Sequence, residues 1–493
     1  MRCVVAIDQS TQGTKALLLS DDAKIIAKSY FEHKQLVSLE GYISHDPMEI
    51  YENVIKGVKT LVDAVPEAEI SAIGITNQRE TTVAWDGMSG KPVIDAIVWQ
   101  CSRAKGICKS LTDEQKAEIS ERTGIPASPF FPAAKMRWIL ENVSEARNLA
   151  LQGHLCLGTI DSWLIYKLTG AYKTDVSNAS RTQLMNLELL DWDDEILKMF
   201  GITRNMLPEI CASDAFFGET DFGGILKNKS PILAVLGDSH AALFAQHCHD
   251  PGKLKVTYGT GSSVMMNTGS EIIRSKNGLA SSVAWKLSGK TDYVLEGNIN
   301  YSGAVISWLK NELGLIDSPD ETEEIAFAAN KSDKVYLVPA FSGLGAPYWF
   351  DDAKASIVGM SRLTGRAEIV RAALDSIGFQ INDILIAMSR DSKLPIKFVA
   401  VDGGPTSNRY LMQFQSGISD TNIRVSEVSE LSGIGAGFVA GITDGVFSFD
   451  MAFSTLKYTL YKQHMPEIER QSLLSGWKQA IKTVVYNITD CNL

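Results

Sequence analysis

Residues 3–20 read CVVAIDQSTQGTKALLLS, and residues 254–269 read LKVTYGTGSSVMMNTG. In each, a β-branched apolar run meets a short turn containing Thr, Ser and Gly and resumes as a second apolar run, the pattern of strand, turn and strand. Glycine lets a backbone approach an anion closely, and successive N–H groups in a turn form an anion-binding nest. Two copies of this device, one near the start of each half of the chain, predict two half-sites that face one polyphosphate.

Further apolar runs end in polar or glycine residues: AIGITNQRE (72–80), PILAVLGDSH (231–240) and FVAVDGGPTSN (398–408). Continuous apolar strands belong to sheets covered on both faces, and ligands gather where such strands end. Helical patterns over 46–64, 133–142, 241–247, 303–313 and 367–388 separate them, so the expected class is α/β. A chain of 493 residues exceeds what one core supports. Two domains are expected, 1–250 and 251–493, divided where HDPGK interrupts a helical pattern. Residues 311–333 carry seven acidic side chains and read as a solvated surface element.

The composition, 45% hydrophobic and 21% charged, is that of a globular protein. No stretch approaches the run of about 18 apolar residues that a membrane helix needs. The start, MRCVVAIDQS, lacks a secretory h-region, which predicts a cytoplasmic location. Seven cysteines without a CxxC pair argue against a disulfide framework or zinc ribbon and read mostly as small buried hydrophobes. A net charge of −11 disfavours nucleic acid and anionic membranes as partners.

Asp8, beside the first turn, is placed to hold a magnesium ion that bridges phosphate oxygens, or to cap the turn. Asp238, after ILAVLG, fits a general base for an attacking hydroxyl and fits a helix N-cap equally. Arg79 and Glu80 suit two neighbouring hydroxyls, or form a surface ion pair. A Walker loop is absent. GTGSSV and GIGAGF lack the third glycine of a dinucleotide fingerprint, which removes support for hydride transfer. His240, His247 and His249 near Asp238 invite a metal reading, but such a run also occurs on ordinary helices.

Taken in order, GYISHDPMEIY, GITNQRETTVAWD, AIVWQCSR, KMRWILEN, TIDSWLIYKLTG, SNASRTQLMN, VTYGTGSSVMMNTG, VPAFSGLGAPYW and LMQFQ resemble the FGGY carbohydrate kinases from Val4 to about Gly441. Segments 130–142 and 355–375 match the two family signatures. The resemblance implies an actin-like ATPase architecture: two ribonuclease-H-like domains with ATP and a polyol or sugar in the cleft between them. It implies that Thr11, Gln12, Gly13 and Lys15 form the first phosphate loop and Thr260 belongs to the second. Gly303, Ser307, Gly404 and Asn408 then contact the nucleotide. Asp8 becomes the Mg2+-associated acid and Asp238 the base, while Arg79, Glu80 and Trp99 bind the polyol. A homodimer is a further expectation of the resemblance.

Within the family the glycerol kinases come nearest, and the departures from them cluster at the acceptor. Phe130 stands where they carry Tyr, Ser239 where they carry Gln, and Ser263 where they carry Phe. These changes predict a roomier pocket and an acceptor longer than glycerol, a polyol or ketose of four or five carbons, with glycerol as the alternative. Gln12, Gly13 and Lys15 depart from the usual Thr-Ser-x-Arg run yet keep small or hydrogen-bonding groups and a cation. Ser307 replaces a Gln beside the nucleotide.

Overall fold

The computed structural model describes residues 1–350 and 352–486. Its first half is organised by the hairpin of β1 (Arg2–Gln9) and β2 (Gly13–Leu19), antiparallel with Asp8 opposite Lys15. β2 continues antiparallel to β3 (Ile25–Glu32). β1 runs parallel to β4 (Glu69–Asn77), and β4 parallel to β5 (Ser230–Gly237), with the short strand Glu219–Thr220 at the edge. β1 and most of β4 and β5 are buried, as in a sheet covered on both faces, whereas β3 alternates in burial as an outer strand does.

The second half repeats the plan. β6 (Leu254–Tyr258) and β7 (Ser262–Gly269) form the hairpin, and β9 (Lys290–Ile299) lies antiparallel beside β7, with β8 (Ala280–Leu287) outside it. β10 (Phe398–Asp402) and β11 (Asn422–Ser426) extend the sheet in parallel from β6, and β12 (Tyr458–Tyr461) closes it antiparallel. The two turns singled out in the sequence are thus equivalent points of two equivalent sheets.

Helices α1 (Pro47–Ala64), α2 (Pro132–Asn142), α3 (Val176–Ser180), α4 (Asp238–Ala245), α5 (Gly303–Asn311), α6 (Glu321–Ala328), α7 (Arg366–Ser392), α8 (Arg409–Ile418) and α9 (Leu431–Thr443) pack around these sheets. α1 starts as its sequence dictates: the Asp46 side chain accepts from the Met48 N–H, and Pro47 occupies the first turn. No helix among the described residues is long and apolar enough to cross a membrane.

GIGAGF, residues 433–438, lies within α9, and this helix from the second half of the chain packs on the first sheet. A Cβ on Gly435 would stand 2.0 Å from the Ala241 carbonyl oxygen of α4, and one on Gly74 of β4 would stand 2.3 Å from the Ala436 oxygen. The glycines let backbones touch. Val4, Leu236, Phe244, Met265, Ala400, Ile434 and Phe438 consequently share one hydrophobic cluster that joins both sheets through α4 and α9.

The acidic segment 311–333 is not simply a solvated face. Thr322 and Ala326 of α6 are buried, Asn408 at the start of α8 donates to Thr322 Oγ1 at 2.9 Å, and Arg409 pairs with Glu323. Of the cysteines, 3, 101, 108, 156 and 248 are buried and Cys211 is half-buried, while Cys491 lies outside the described residues. His247 and His249 pack against Phe453, with ring centroids 4.5 and 5.1 Å away, and belong to an aromatic cluster.

Candidate active site

Arg79 and Glu80 lie in the loop after β4 rather than at its end, and Glu80 takes a positive φ of 62°, a costly conformation for a non-glycine residue. The surface-pair alternative fails, because Arg79 is 7% and Glu80 3% exposed. Each has a closer partner than the other. Arg79 Nη1 and Nη2 donate to the Glu296 carboxylate of β9 at 2.9 and 2.8 Å, and Arg181 Nε donates to Glu80 Oε1 at 2.6 Å.

Asp238 is not an N-cap. Gly237 holds that position, and Asp238 is the first residue of α4, its Oδ1 accepting from the Ser239 N–H at 2.6 Å. The carboxylate stands 3.3 Å from Arg79 Nε, and its side chain is 36% exposed. It is therefore fixed by a cation, favoured by the helix dipole and open to a ligand. His240, one residue beyond Ser239, is fully buried with both ring nitrogens unpartnered. Burial, with Arg79 adding, holds it neutral by keeping its pKa well below the usual range.

Trp99 and Phe130 complete this side. Trp99 Nε1 donates to Thr11 Oγ1 of the first turn at 3.0 Å, and the two aromatic rings are 5.3 Å apart. Behind them lies Lys135 of α2, fully buried, a position that the string KMRWILEN does not single out. Its Nζ donates to the carbonyls of Trp99 at 3.3 Å, of Glu80 at 3.5 Å and of Phe130, so one side chain holds the backbones of three candidate acceptor residues. Burial pushes its pKa down to about 7 against the opposing pull of Glu80. Ser263, on β7, donates to Glu296 Oε1 at 3.3 Å.

Asp8 lies inside β1 and caps no turn; Ser10 does that work, its Oγ and N–H both donating to the Gly13 carbonyl. No protein donor among the described residues hydrogen-bonds the Asp8 carboxylate. Burial raises its pKa to about 7, Lys15 opposes the rise, and Asp238 and Glu430 add to it. Lys15 is on β2 rather than in the turn, and its ammonium is 2.7 Å from Glu430. Gln12 is exposed. Gly13 has a packing reason, since a Cβ there would stand 2.5 Å from the Tyr30 ring of β3. A buried carboxylate with acidic neighbours and no donor fits a hard divalent ion, which is held by one or two carboxylates together with phosphate oxygens.

The second turn is built from its neighbours. Gly303 N–H donates to the Gly259 carbonyl at 2.9 Å and Ala304 N–H to the Thr260 carbonyl at 3.0 Å, which docks the start of α5 on the turn. Gly403, at φ +99°, lies where a Cβ would meet the Tyr258 oxygen, whereas no heavy atom stands within 4 Å of a Cβ on Gly404. Thr260 and Gly404 are exposed, and Asn408 caps α8. Ser307, exposed on α5, donates to the Gly303 carbonyl at 3.2 Å. The exposed second turn, the open Gly404 and the bare carboxylate of Asp8 fit a magnesium polyphosphate.

The structure gathers Asp238, Arg79, Glu80 and Ser263 into one bonded network through Glu296 and Arg181. Thr11, Trp99 and Phe130 adjoin one another in a second group, and Gly303, Gly404, Asn408 and Ser307 occupy the β6, α5 and α8 side.

Comparison with known proteins gives this arrangement its context. Residues 3–245 match the model of the FGGY family of carbohydrate kinases, N-terminal domain, and residues 254–443 match its C-terminal domain. The chain is 45% identical over 490 residues to a protein named glycerol kinase 1 from Thermotoga maritima, spanning 98% of this chain and 99% of that one. A glycerol kinase from Shewanella piezotolerans is 42% identical over 97% of this chain and 98% of its own. Among solved structures, Plasmodium falciparum glycerol kinase with ADP superposes with a TM-score of 0.94 at 35% identity, covering 98% of each chain. Xylulose kinase from Lactobacillus acidophilus, at 20% identity, covers 100% of this chain and 99% of its own and shares the fold with a TM-score of 0.89. Two matched domains on the duplicated sheets, supported by relatives aligned along nearly their whole length, place the chain in the FGGY family of carbohydrate kinases, phosphotransferases that use ATP with Mg2+.

Proposed function

We propose that this kinase phosphorylates a primary hydroxyl of glycerol. The observation that carries the reading is the Asp238 carboxylate, held 3.3 Å from Arg79 Nε yet open to a ligand, with the buried Glu80 next to Arg79 in the chain. The relatives named glycerol kinase support glycerol in preference to a longer acceptor.

Bound MgATP supplies the γ-phosphoryl group and neutralises part of its charge. Arg79, Glu80 and Trp99 orient the acceptor so that one hydroxyl lies against Asp238. Asp238 takes the hydroxyl proton as the acceptor oxygen forms its bond to phosphorus and the bond to the ADP oxygen breaks. Asp8 holds Mg2+, and the backbone donors around Thr11, Thr260 and Gly404 cradle the phosphates. The domain division at residue 250 belongs to the same proposal, with the acceptor groups drawn chiefly from 1–250 and the nucleotide groups chiefly from 251–493.

Ser239 and Ser263 favour a second reading, because two small side chains border the Arg79 and Asp238 cluster and leave room for a four- or five-carbon polyol or ketose. The test is coupled ADP release with MgATP across glycerol, erythritol, xylitol, erythrulose and xylulose, compared as kcat/KM. Glycerol ahead upholds the first reading. A longer acceptor ahead by about tenfold, or about 1.4 kcal/mol of transition-state preference, overturns it.

A further inference from the structure

Beneath Arg79 and Glu80 lie two fully enclosed charges with no part in the scheme above. Glu296 on β9 is 0% exposed at its side chain and Arg181, just after α3, is 1% exposed. Glu296 accepts both Nη groups of Arg79, lies 3.0 Å from Arg181 Nη1 and accepts from Ser263 Oγ at 3.3 Å, while Arg181 Nε reaches Glu80. A buried ion cluster is weak evidence for stability, since desolvating the charges offsets much of their attraction. What a two-point arginine and carboxylate contact does supply is orientation: it fixes the plane of the guanidinium.

That orientation has a specific consequence. With both Nη groups turned into Glu296, Arg79 presents only Nε toward Asp238, and this buried Nε has no hydrogen-bond partner in the free protein. Glu296 also pairs across the sheet with Met265 of β7, the strand that leaves the second glycine turn. Arg79, Glu80 and Arg181 come from the first half of the chain and Glu296 from the second.

We propose that Glu296 is a positioning residue for phosphoryl transfer. Its carboxylate locks Arg79 with Nε aimed at Asp238 and the acceptor, and so ties the acceptor grip to β7, the strand that follows the turn of Thr260. Arg181 supports it by contacting both Glu80 and Glu296. The inference rests on the roles proposed above for Arg79 and Asp238.

E296Q keeps the shape and removes the charge; E296D keeps the charge and shortens the reach. With MgATP and glycerol, E296Q should lose at least 100-fold in kcat/KM, most of it in kcat. Slow ATP hydrolysis without acceptor should stay within about threefold of the parent, because the nucleotide side is untouched. E296D should recover at least tenfold over E296Q. R181K, which keeps a cation but loses the fork, is the second variant and should show the same split if E296Q does not fold. E296Q within threefold of the parent in kcat/KM overturns the proposal. So does an equal loss of transfer and hydrolysis in every variant that folds, which marks a purely structural role. The parent is assayed first: no transfer to glycerol sinks the glycerol reading alone, and the acceptor that does work in the polyol panel then carries the same variants.

Discussion

Replacing Lys135 with Met separates the cost of a buried cation from the bonds it makes. Lys135 is fully buried, and its pKa lies at about 7 instead of the ordinary 10.5. A base whose folded pKa lies below its unfolded one binds fewer protons folded than unfolded, so stability rises with pH through the window from about 7 to 10.5. Below the window the cost is complete, and above it the cost is gone. At 1.36 kcal/mol per pH unit, crossing from pH 7 to 9 relieves about 2 kcal/mol, toward a ceiling of about 5 kcal/mol for the whole shift. Lys135→Met removes this dependence and orphans the carbonyls of Glu80, Trp99 and Phe130, a loss that does not vary with pH.

The assay is thermal unfolding of parent and variant, without nucleotide, at pH 7, 8 and 9. The parent's midpoint should gain on the variant's by about 4–8 °C between pH 7 and 9, from about 2–4 °C per kcal/mol in a unit of this size. KM for the acceptor should rise in the variant, because the backbones behind the proposed acceptor site are released. A midpoint difference that stays constant across the three pH values refutes the reasoning, since Lys135 would then titrate outside the window.

Asp238→Asn should fold normally and lower kcat by about 10²–10⁴-fold with little change in KM for ATP, measured by coupled ADP release. Ser263→Phe, alone or with Ser239→Gln, should narrow the pocket and raise the ratio of kcat/KM for glycerol over erythritol by at least about tenfold; an unchanged ratio would show that these positions do not select the acceptor. Gly435→Ala brings a methyl group onto the Ala241 carbonyl oxygen and should cost about 1–3 kcal/mol, a midpoint lower by about 2–12 °C. Gly106→Ala, with no heavy atom within 4 Å of the new methyl, serves as its control and should leave the midpoint unchanged or higher.

The sequence was legible wherever the signal is local. Hydrophobic runs bounded by Thr, Ser and Gly marked both hairpins, because strand period and turn chemistry are written in consecutive residues. Motif order identified the family, and the roles it implies for Asp8, Asp238, Arg79 and Glu80 are the ones proposed above. Adjacent letters offered a surface pair of Arg79 and Glu80 as the alternative to hydroxyl binding; the two are buried and 3.9 Å apart, and their closer partners are Glu296 and Arg181, 217 and 101 positions away. GIGAGF lacks the third glycine of a dinucleotide fingerprint, yet nothing in the string announces that it lets α9 lie against α4 and β4.

By itself, then, the chain's sequence determined the α/β class, the duplicated turns and the kinase family, since period, turn residues and motif order are properties of neighbours along the chain. The tertiary structure alone decided that Glu296 grips Arg79, that Lys135 holds three carbonyls from within the core, and that a helix from the second half seals the first sheet. Burial and the pairing of charges depend on which surfaces meet, and the energy that fixes them comes from excluding water between residues that sequence order keeps far apart.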